Sequence, residues 1–385
     1  MRQTYLPFNL PELGEDEVQA VVETLRSRWI TRGPATQRFE RALAEYLGVP
    51  HVVALSSCTA GMQLALMALG IGPGDEVITT PYTFAASINV ILHVGATPVL
   101  VDVDPTTANL DPGRVEEAIT DRTRAILPVH FAGHPVDLGA FDRIRDHYGL
   151  PIVEDAAHAI GARYEGRKVG TFGNLTALSF YATKNLTTGE GGALVVPDGE
   201  MADKIRAWSL HGMSRNAWNR YSEKGSWQYD VVAPGFKYNM TDIQAALGIV
   251  QLEKFDRMQE RRHHIAQAFS EALQGLPVEL PVVKEGVTHA WHLYPLRLML
   301  DRIQGTRAEV IEDLKQQQIG TSVHFIPIPF HSYYQDRFGW QPGLFPHAER
   351  YFEAEVSLPL YPSMTDQDVA DVIDAVHYVL RMREI

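Results

Sequence analysis

The stretch IVEDAAHAIGARYEGRKVGTFGNLTALSFYATKNLTTGEGGALVV, residues 152–196, decides how the rest of the chain is read. It opens with a short apolar run of strand character ending at Asp155 and turns at once through His158. A second apolar run, LTALSFYA, carries Ser179 and delivers Lys184. The Gly-rich turn Thr188-Gly189-Glu190-Gly191-Gly192 then leads into a third strand, ALVV. An acid and a lysine at adjacent strand ends, with a hydroxyl close upstream, are what a pyridoxal phosphate site requires. The lysine forms a Schiff base, the carboxylate keeps the pyridine nitrogen protonated, and hydroxyls with backbone amides take the phosphate. On spacing alone the same residues read as well as a surface lysine after a core strand and an aspartate capping a helix.

Upstream of this stretch the pattern is regular from His51 onward: HVVALS, DEVITT, TPVLVDV and RAILPVH alternate with the helical segments TAGMQLALMALG, AASINVILHVG, PGRVEEAI and LGAFDRIRDHYG. Continuous Val/Ile/Leu runs alternating with helices predict an α/β protein whose mostly parallel sheet is covered on both faces. Ligands in such sheets lie beyond the carboxyl ends of the strands. Ser57-Cys58-Thr59, Tyr82-Thr83-Phe84, His130 and Asp155 all fall at such ends. The turn Ser56 to Gly61 lies between a strand and a helix, where free N–H groups favour an anion, although Ser57 or Thr59 acting as a simple N-cap has the same sequence signature.

Composition narrows the function further. The 385 residues suit two domains, and 45% hydrophobic with 21% charged content is ordinary for a globular chain. The net charge of −13 argues against nucleic acid as a partner, because phosphate-backbone binding needs clustered Lys and Arg. The opening MRQTYLPFNLPELGEDE has no apolar run of signal-peptide type, and no uninterrupted apolar stretch approaches the ~20 residues a membrane span needs. A single cysteine, Cys58, excludes internal disulfides and fits a reducing, cytoplasmic location. His263 and His264 have no acidic or Cys partners at ligand spacing, so no metal is expected.

At the N-terminus, Glu15 to Arg28 forms an amphipathic helix with Val18, Val21, Val22 and Leu25 on one face, followed by the break RWITRGP and a second helix from Thr36 to Leu47. Beyond the third strand, the segment from Met213 to Val232 is polar and aromatic. Its Arg215, Trp218, Arg220, Tyr221, Trp227 and Tyr229 suit either a lid over a nucleotide or a contact between subunits. Thr241 is an expected N-cap for the helix that follows GFKYNMTD. The tail from about Pro277 mixes strands (HAWHLYPLRLML, SVHFIPI) with helices, as a smaller α+β domain does. The expected division is 1–250 for the large domain with its N-terminal arm and 251–385 for the small one.

EDAAHA, SFYATKNLTTGEGG, GFKYNMTDIQAALG and RWITRGP occur in one order along the chain, which resembles the DegT/DnrJ/EryC1/StrS family of pyridoxal-phosphate-dependent nucleotide-sugar aminotransferases. The resemblance implies fold type I: a large domain with a seven-stranded, mostly parallel sheet and a smaller α+β domain. It assigns Lys184, Asp155 and His158 to catalysis and cofactor contact. Cys58, Thr59 and Ser179 are assigned to the cofactor phosphate region and Phe84 to stacking on the pyridine ring. It assigns Asn239, reaching in from a second subunit, to the phosphate, so that a homodimer shares its sites; without it, Lys237 and Asn239 merely shape a loop. The family often has Gly or Ala where Cys58 stands, and a thiol there reads as an oxidation liability.

The implied reaction moves an amino group, with glutamate as the expected donor, to a keto-sugar nucleotide for polysaccharide or lipopolysaccharide synthesis. HAWHL, IGTSVHF and SLPLYPSMT most resemble the branch forming UDP-4-amino-4-deoxy-L-arabinose, which points to C4 of the sugar rather than C3. That branch carries an arginine at the position of Ile326, within Phe325 to His331, so a UDP- or dTDP-4-keto-6-deoxyhexose is an equal alternative to a pentose. An amino-acid aminotransferase needs an arginine for the α-carboxylate, for which Arg297 is the best candidate. A non-catalytic regulator with this fold is argued against by the intact pair Asp155 and Lys184.

Overall fold

The computed structural model of the protein describes residues 2–213 and 229–385. Seven strands of the described residues build the large sheet: β1 (His51–Leu55), β2 (Glu76–Thr79), β3 (Thr97–Leu100), β4 (Thr123–Leu127), β5 (Val153–Asp155), β6 (Leu175–Ser179) and β7 (Gly192–Val196). Pairing runs β1-β7-β6-β5 on one side and β3-β2-β4 on the other. Parallel bridges Ile126–Ile152 and Val129–Asp155 join the two halves. Only β7 runs against its neighbours, antiparallel to both β1 and β6. The architecture is the fold type I arrangement that the sequence leads one to expect.

The apolar runs are continuous because both faces of each strand are buried. Along β1, Val52 and Ala54 join one core while Val53 and Leu55 join the core on the opposite face. Strand β7 repeats this, with Ala193 and Val195 on one side and Leu194 and Val196 on the other. Side chains alternate across a strand, so a sheet between two helical layers needs apolar residues at both parities. Helix Pro34–Leu47 packs Phe39 and Leu43 on the first face, and helix Cys58–Ala68 packs Met62, Leu64 and Leu66 on the second.

A second core gathers around a three-stranded antiparallel sheet of β8 (Val278–Glu279), β9 (Tyr294–Leu298) and β10 (Glu355–Leu358). Helix Phe255–Ala272 contributes to both cores: Phe255 and Met258 enter the first, Ile265, Ala266 and Phe269 the second. The N-terminal arm lies on the second core, where Leu6 pairs in parallel with Ile319 and Arg2 bridges Asp368 and Asp371. Among the described residues, no helix is long and apolar enough to cross a membrane.

Candidate active site

The parallel strands all end on one edge of the sheet, and a cavity of about 530 Å³ opens there. Asp155 closes β5 and is 5% exposed. Its Oδ2 accepts from Ser87 Oγ at 2.7 Å and its Oδ1 from the Ala157 N–H at 3.1 Å, with Cys58 Sγ 3.8 Å from Oδ1. Thr83 Oγ1 lies 2.8 Å from Ser87 Oγ and completes the support. A carboxylate held by this many donors is fixed in orientation, ready to face a cationic ring.

Lys184 follows β6 and reaches into the same cavity. Desolvation pushes its ammonium down to about 8, against the opposing pull of Asp155 and Cys58. Its Nζ lies 3.5 Å from Nε2 of His292. The tautomer of His292 follows from its other nitrogen. Asn185 Nδ2 donates to the Ala290 carbonyl at 2.7 Å, which leaves Oδ1 to accept from His292 Nδ1 at 3.2 Å. Nε2 therefore presents a lone pair to the lysine. His158, one turn past Asp155, accepts from the Ala132 N–H through Nδ1 at 3.2 Å, and its ring centroid is 4.2 Å from that of His292. Burial drives both imidazoles well below their ordinary range, so both are neutral beside the lysine.

The start of helix Cys58–Ala68 also lines the cavity, with Ser57, Cys58 and Thr59 in its wall. Ser57 is an N-cap as well, its side chain accepting from the Ala60 N–H at 3.1 Å. Burial first and Asp155 second raise the Cys58 thiol well above its usual range, which suppresses the thiolate and with it the expected oxidation liability. Ser179 ends β6 and lines the cavity, its Oγ accepting from the Tyr181 N–H at 3.4 Å. Phe84 precedes helix Ala85–His93 and stands 64% exposed at the cavity wall, 6.2 Å from the ring of Phe325.

Four residues singled out in the sequence, His130, Tyr82, Asn239 and Arg297, do not line this cavity. His130 is fully buried behind it, Nε2 bonded to Glu154 at 2.9 Å and Nδ1 accepting from the Val136 N–H at 3.1 Å. The strand end places its backbone near the site, but the side chain turns back into the core. Tyr82 is likewise buried, with its hydroxyl donated to the His324 carbonyl. Asn239 is 8% exposed and absent from the cavity wall of its own chain; its backbone pairs with Leu55, and its side chain accepts from Lys237 and donates to the Met240 carbonyl at 3.1 Å. Arg297 is tied to Glu279 at 2.7 Å and to the Pro105 carbonyl at 3.0 Å, away from the cavity. Arg215, Trp218, Arg220, Tyr221 and Trp227 lie outside the described residues, while Tyr229 is described and half exposed.

Conversely, His292, His324, Thr183 and Glu190 line the cavity without having been assigned a role from the sequence. HAWHL and SVHF read as strand patterns, and nothing local marks their histidines.

The cavity's lining fits pyridoxal phosphate: a helix start packed against Gly192, where a Cβ would fall 2.3 Å from the Cys58 nitrogen, the Asp155 carboxylate and the Lys184 amine all face it. On this sheet, such a site defines a fold type I pyridoxal phosphate enzyme. The model of the DegT/DnrJ/EryC1/StrS aminotransferase family matches residues 11–377, and the chain belongs to that family. It is 52% identical over 382 residues to the spore coat polysaccharide biosynthesis protein SpsC of Bacillus subtilis, covering 99% of this chain and 98% of the relative. Among solved structures it resembles Spr1654 of Streptococcus pneumoniae, named as a sugar aminotransferase and solved in PMP and PLP forms. The PMP form matches with a TM-score of 0.92 and 36% identity over 98% of this chain and 99% of that one. Helicobacter pylori PseC, an aminotransferase of pseudoaminic acid biosynthesis, matches with a TM-score of 0.90 and 30% identity over 98% and 100%. The protein is a pyridoxal-phosphate-dependent sugar aminotransferase.

Proposed function

We propose that the protein transfers an amino group from glutamate to C4 of a UDP- or dTDP-linked 4-keto sugar, and that Lys184, Asp155 and His158 are its central residues. The observation that carries this reading is the buried amine of Lys184, sharing one cavity with Asp155 and pushed down to about 8 by desolvation. When bound, pyridoxal phosphate supplies the electron sink that allows a Cα–H bond to ionise. Lys184 Nζ takes the proton from the donor's Cα and returns one at the sugar carbon that receives nitrogen. An amine that titrates near neutral pH serves both directions. With the cofactor bound, Asp155, held by Ser87 and the Ala157 N–H, would face the pyridine nitrogen and keep it protonated. Cys58, Thr59 and Ser179 would hold the phosphate, and Phe84 would cover the ring.

The preference for C4 rests on the motifs HAWHL, IGTSVHF and SLPLYPSMT. Ile326 is 48% exposed beside cavity-lining Phe325, and an apolar side chain there suits a 6-deoxy sugar better than a pentose. A homodimer whose phosphate site is completed by Asn239 of the partner subunit rests on the motif GFKYNMTDIQAALG; within its own chain Asn239 does not line the cavity. The product enters polysaccharide synthesis, the process for which the Bacillus subtilis relative is named. The test is a pair of half-reactions. Glutamate is added and the cofactor absorbance followed; UDP- and dTDP-4-keto sugars are then added in turn, and the product's amine position is read by NMR. Restoration of the starting spectrum by a C4-aminated product supports the proposal. Amination at C3, or no response to any sugar nucleotide, sinks it.

A further inference from the structure

Strand β10 places Glu355 and Ser357 on one face, two residues apart, both fully buried. Ser357 and Ser322 exchange backbone hydrogen bonds at 3.2 and 2.9 Å, which lays the segment carrying His324 over that face. The His324 N–H donates to Glu355 Oε2 at 2.8 Å. His324 Nδ1 lies 2.9 Å from Ser357 Oγ, which is hydrogen-bonded in turn to Glu355 Oε1. The imidazole stacks against Phe8 at 5.4 Å between centroids, and His324 forms part of the wall of the Lys184 cavity. A buried carboxyl on the second core is thus wired by one hydroxyl to a ring in the active site.

The hydroxyl of Ser357 has a single hydrogen, and that restricts the wiring. With Glu355 ionised, Ser357 donates to it, His324 Nδ1–H donates to Ser357, and Nε2 is a bare acceptor. With Glu355 protonated, the carboxyl donates to Ser357, Ser357 donates to Nδ1, and Nε2 carries the hydrogen. We propose that Glu355, Ser357 and His324 form a proton relay that switches His324 Nε2 between acceptor and donor towards the cavity. A proton given up at Nε2 is replaced at Nδ1 from Ser357, whose hydroxyl is reprotonated by Glu355, leaving the carboxylate; return transfer restores the acid.

The surroundings allow both states. Burial raises Glu355 to about 8, against hydrogen bonds from Ser357 and His324 and the attraction of Arg307. Arg307 is engaged with the Phe352 carbonyl, and the cross-strand neighbour Arg297 is tied to Glu279. Tyr82 and Tyr351 are the other titratable groups facing Glu355, and both phenols are pushed up by burial. Burial, with Lys184 adding to it, lowers His324 to about 4, so the imidazole relays as a neutral ring through its two tautomers. Aminating a ketone moves protons from nitrogen to the departing oxygen, while Lys184 is committed to carbon. A separate group that both gives and takes a proton meets that need. The inference rests on sugar aminotransfer as such and is independent of which sugar is used.

The test reads tautomers directly. In cofactor-loaded protein with 15N-labelled histidine, His324 is assigned by loss of its signal in His324→Asn. In wild type its signals should pass from Nε2–H to Nδ1–H as pH rises, with a midpoint near 8. The same midpoint should persist in Lys184→Ala, which separates it from titration of the lysine. Glu355→Gln should lock the Nε2–H form between roughly pH 6 and 10, and Ser357→Ala should abolish the switch. Both variants should lose kcat by about tenfold or more with KM little changed. A tautomer constant with pH in wild type, a switch that survives both variants, or full kcat in Ser357→Ala overturns the relay.

Discussion

Gly192 at the start of β7 lies so close to Cys58 that a Cβ on it would stand 2.3 Å from the Cys58 nitrogen and 2.3 Å from the Ser57 carbonyl carbon. The strand cannot withdraw, because Gly192 is in register with both Leu55 and Ser179. Gly192→Ala should therefore displace the helix start proposed to take the cofactor phosphate. The expected outcome is a loss of about 1–3 kcal/mol in stability and weakened cofactor binding, read by thermal unfolding and by titration with pyridoxal phosphate.

Asp155→Asn keeps one oxygen acceptor for the Ala157 N–H and turns the other position into an NH2 that donates to Ser87 Oγ, whose own hydrogen turns to Thr83 Oγ1, so the fold should survive. The negative charge proposed to face the pyridine nitrogen is lost. The expected result is a fall in kcat of about 10²-fold or more with an unchanged melting temperature, measured by steady-state kinetics and calorimetry.

Lys184 links the site to stability through pH. Its folded-state value of about 8 lies below its ordinary 10.5. Between these values the unfolded chain holds a proton that the native apoprotein has released, so stability rises with pH there; the contribution is lost as pH falls through 8. Lys184→Met should remove this slope and make the apoprotein more stable at neutral pH, by up to about 3 kcal/mol. Denaturant melts of both apoproteins at pH 7 and above 10 check the sign: the advantage of the methionine should shrink at the higher pH. The same variant should also fail to retain pyridoxal phosphate covalently after borohydride treatment, read by mass spectrometry.

Cys58 is buried, and its thiol is raised well above the usual range. At neutral pH the folded protein should resist iodoacetamide, whereas the urea-unfolded chain is alkylated at ordinary rates. Intact-mass measurement over time distinguishes the two. Rapid labelling of the native state would contradict the enclosure of the thiol beside Asp155.

The sheet and the pair Asp155 and Lys184 were legible in the sequence because their information is local. Apolar runs at both strand parities mark a sheet covered on two faces, and parallel strands joined by helices put all their carboxyl ends on one edge. Asp155 and Lys184 close neighbouring strands of that edge, so chain order alone brings them together. Side-chain direction is not local in this sense. His130 occupies the right edge yet bonds to Glu154 in the core. His292 and His324 come from ordinary-looking strand patterns and are brought to the Lys184 cavity only by tertiary packing. The sequence by itself determined the layering, the site edge and the chemical pair; the tertiary structure alone decided which distant imidazoles surround the amine, and through Asn185, Ser357 and Glu355 how each is held. Periodicity is written in near neighbours, whereas convergence and hydrogen-bond direction depend on groups more than a hundred residues apart, as Lys184 and His292 are.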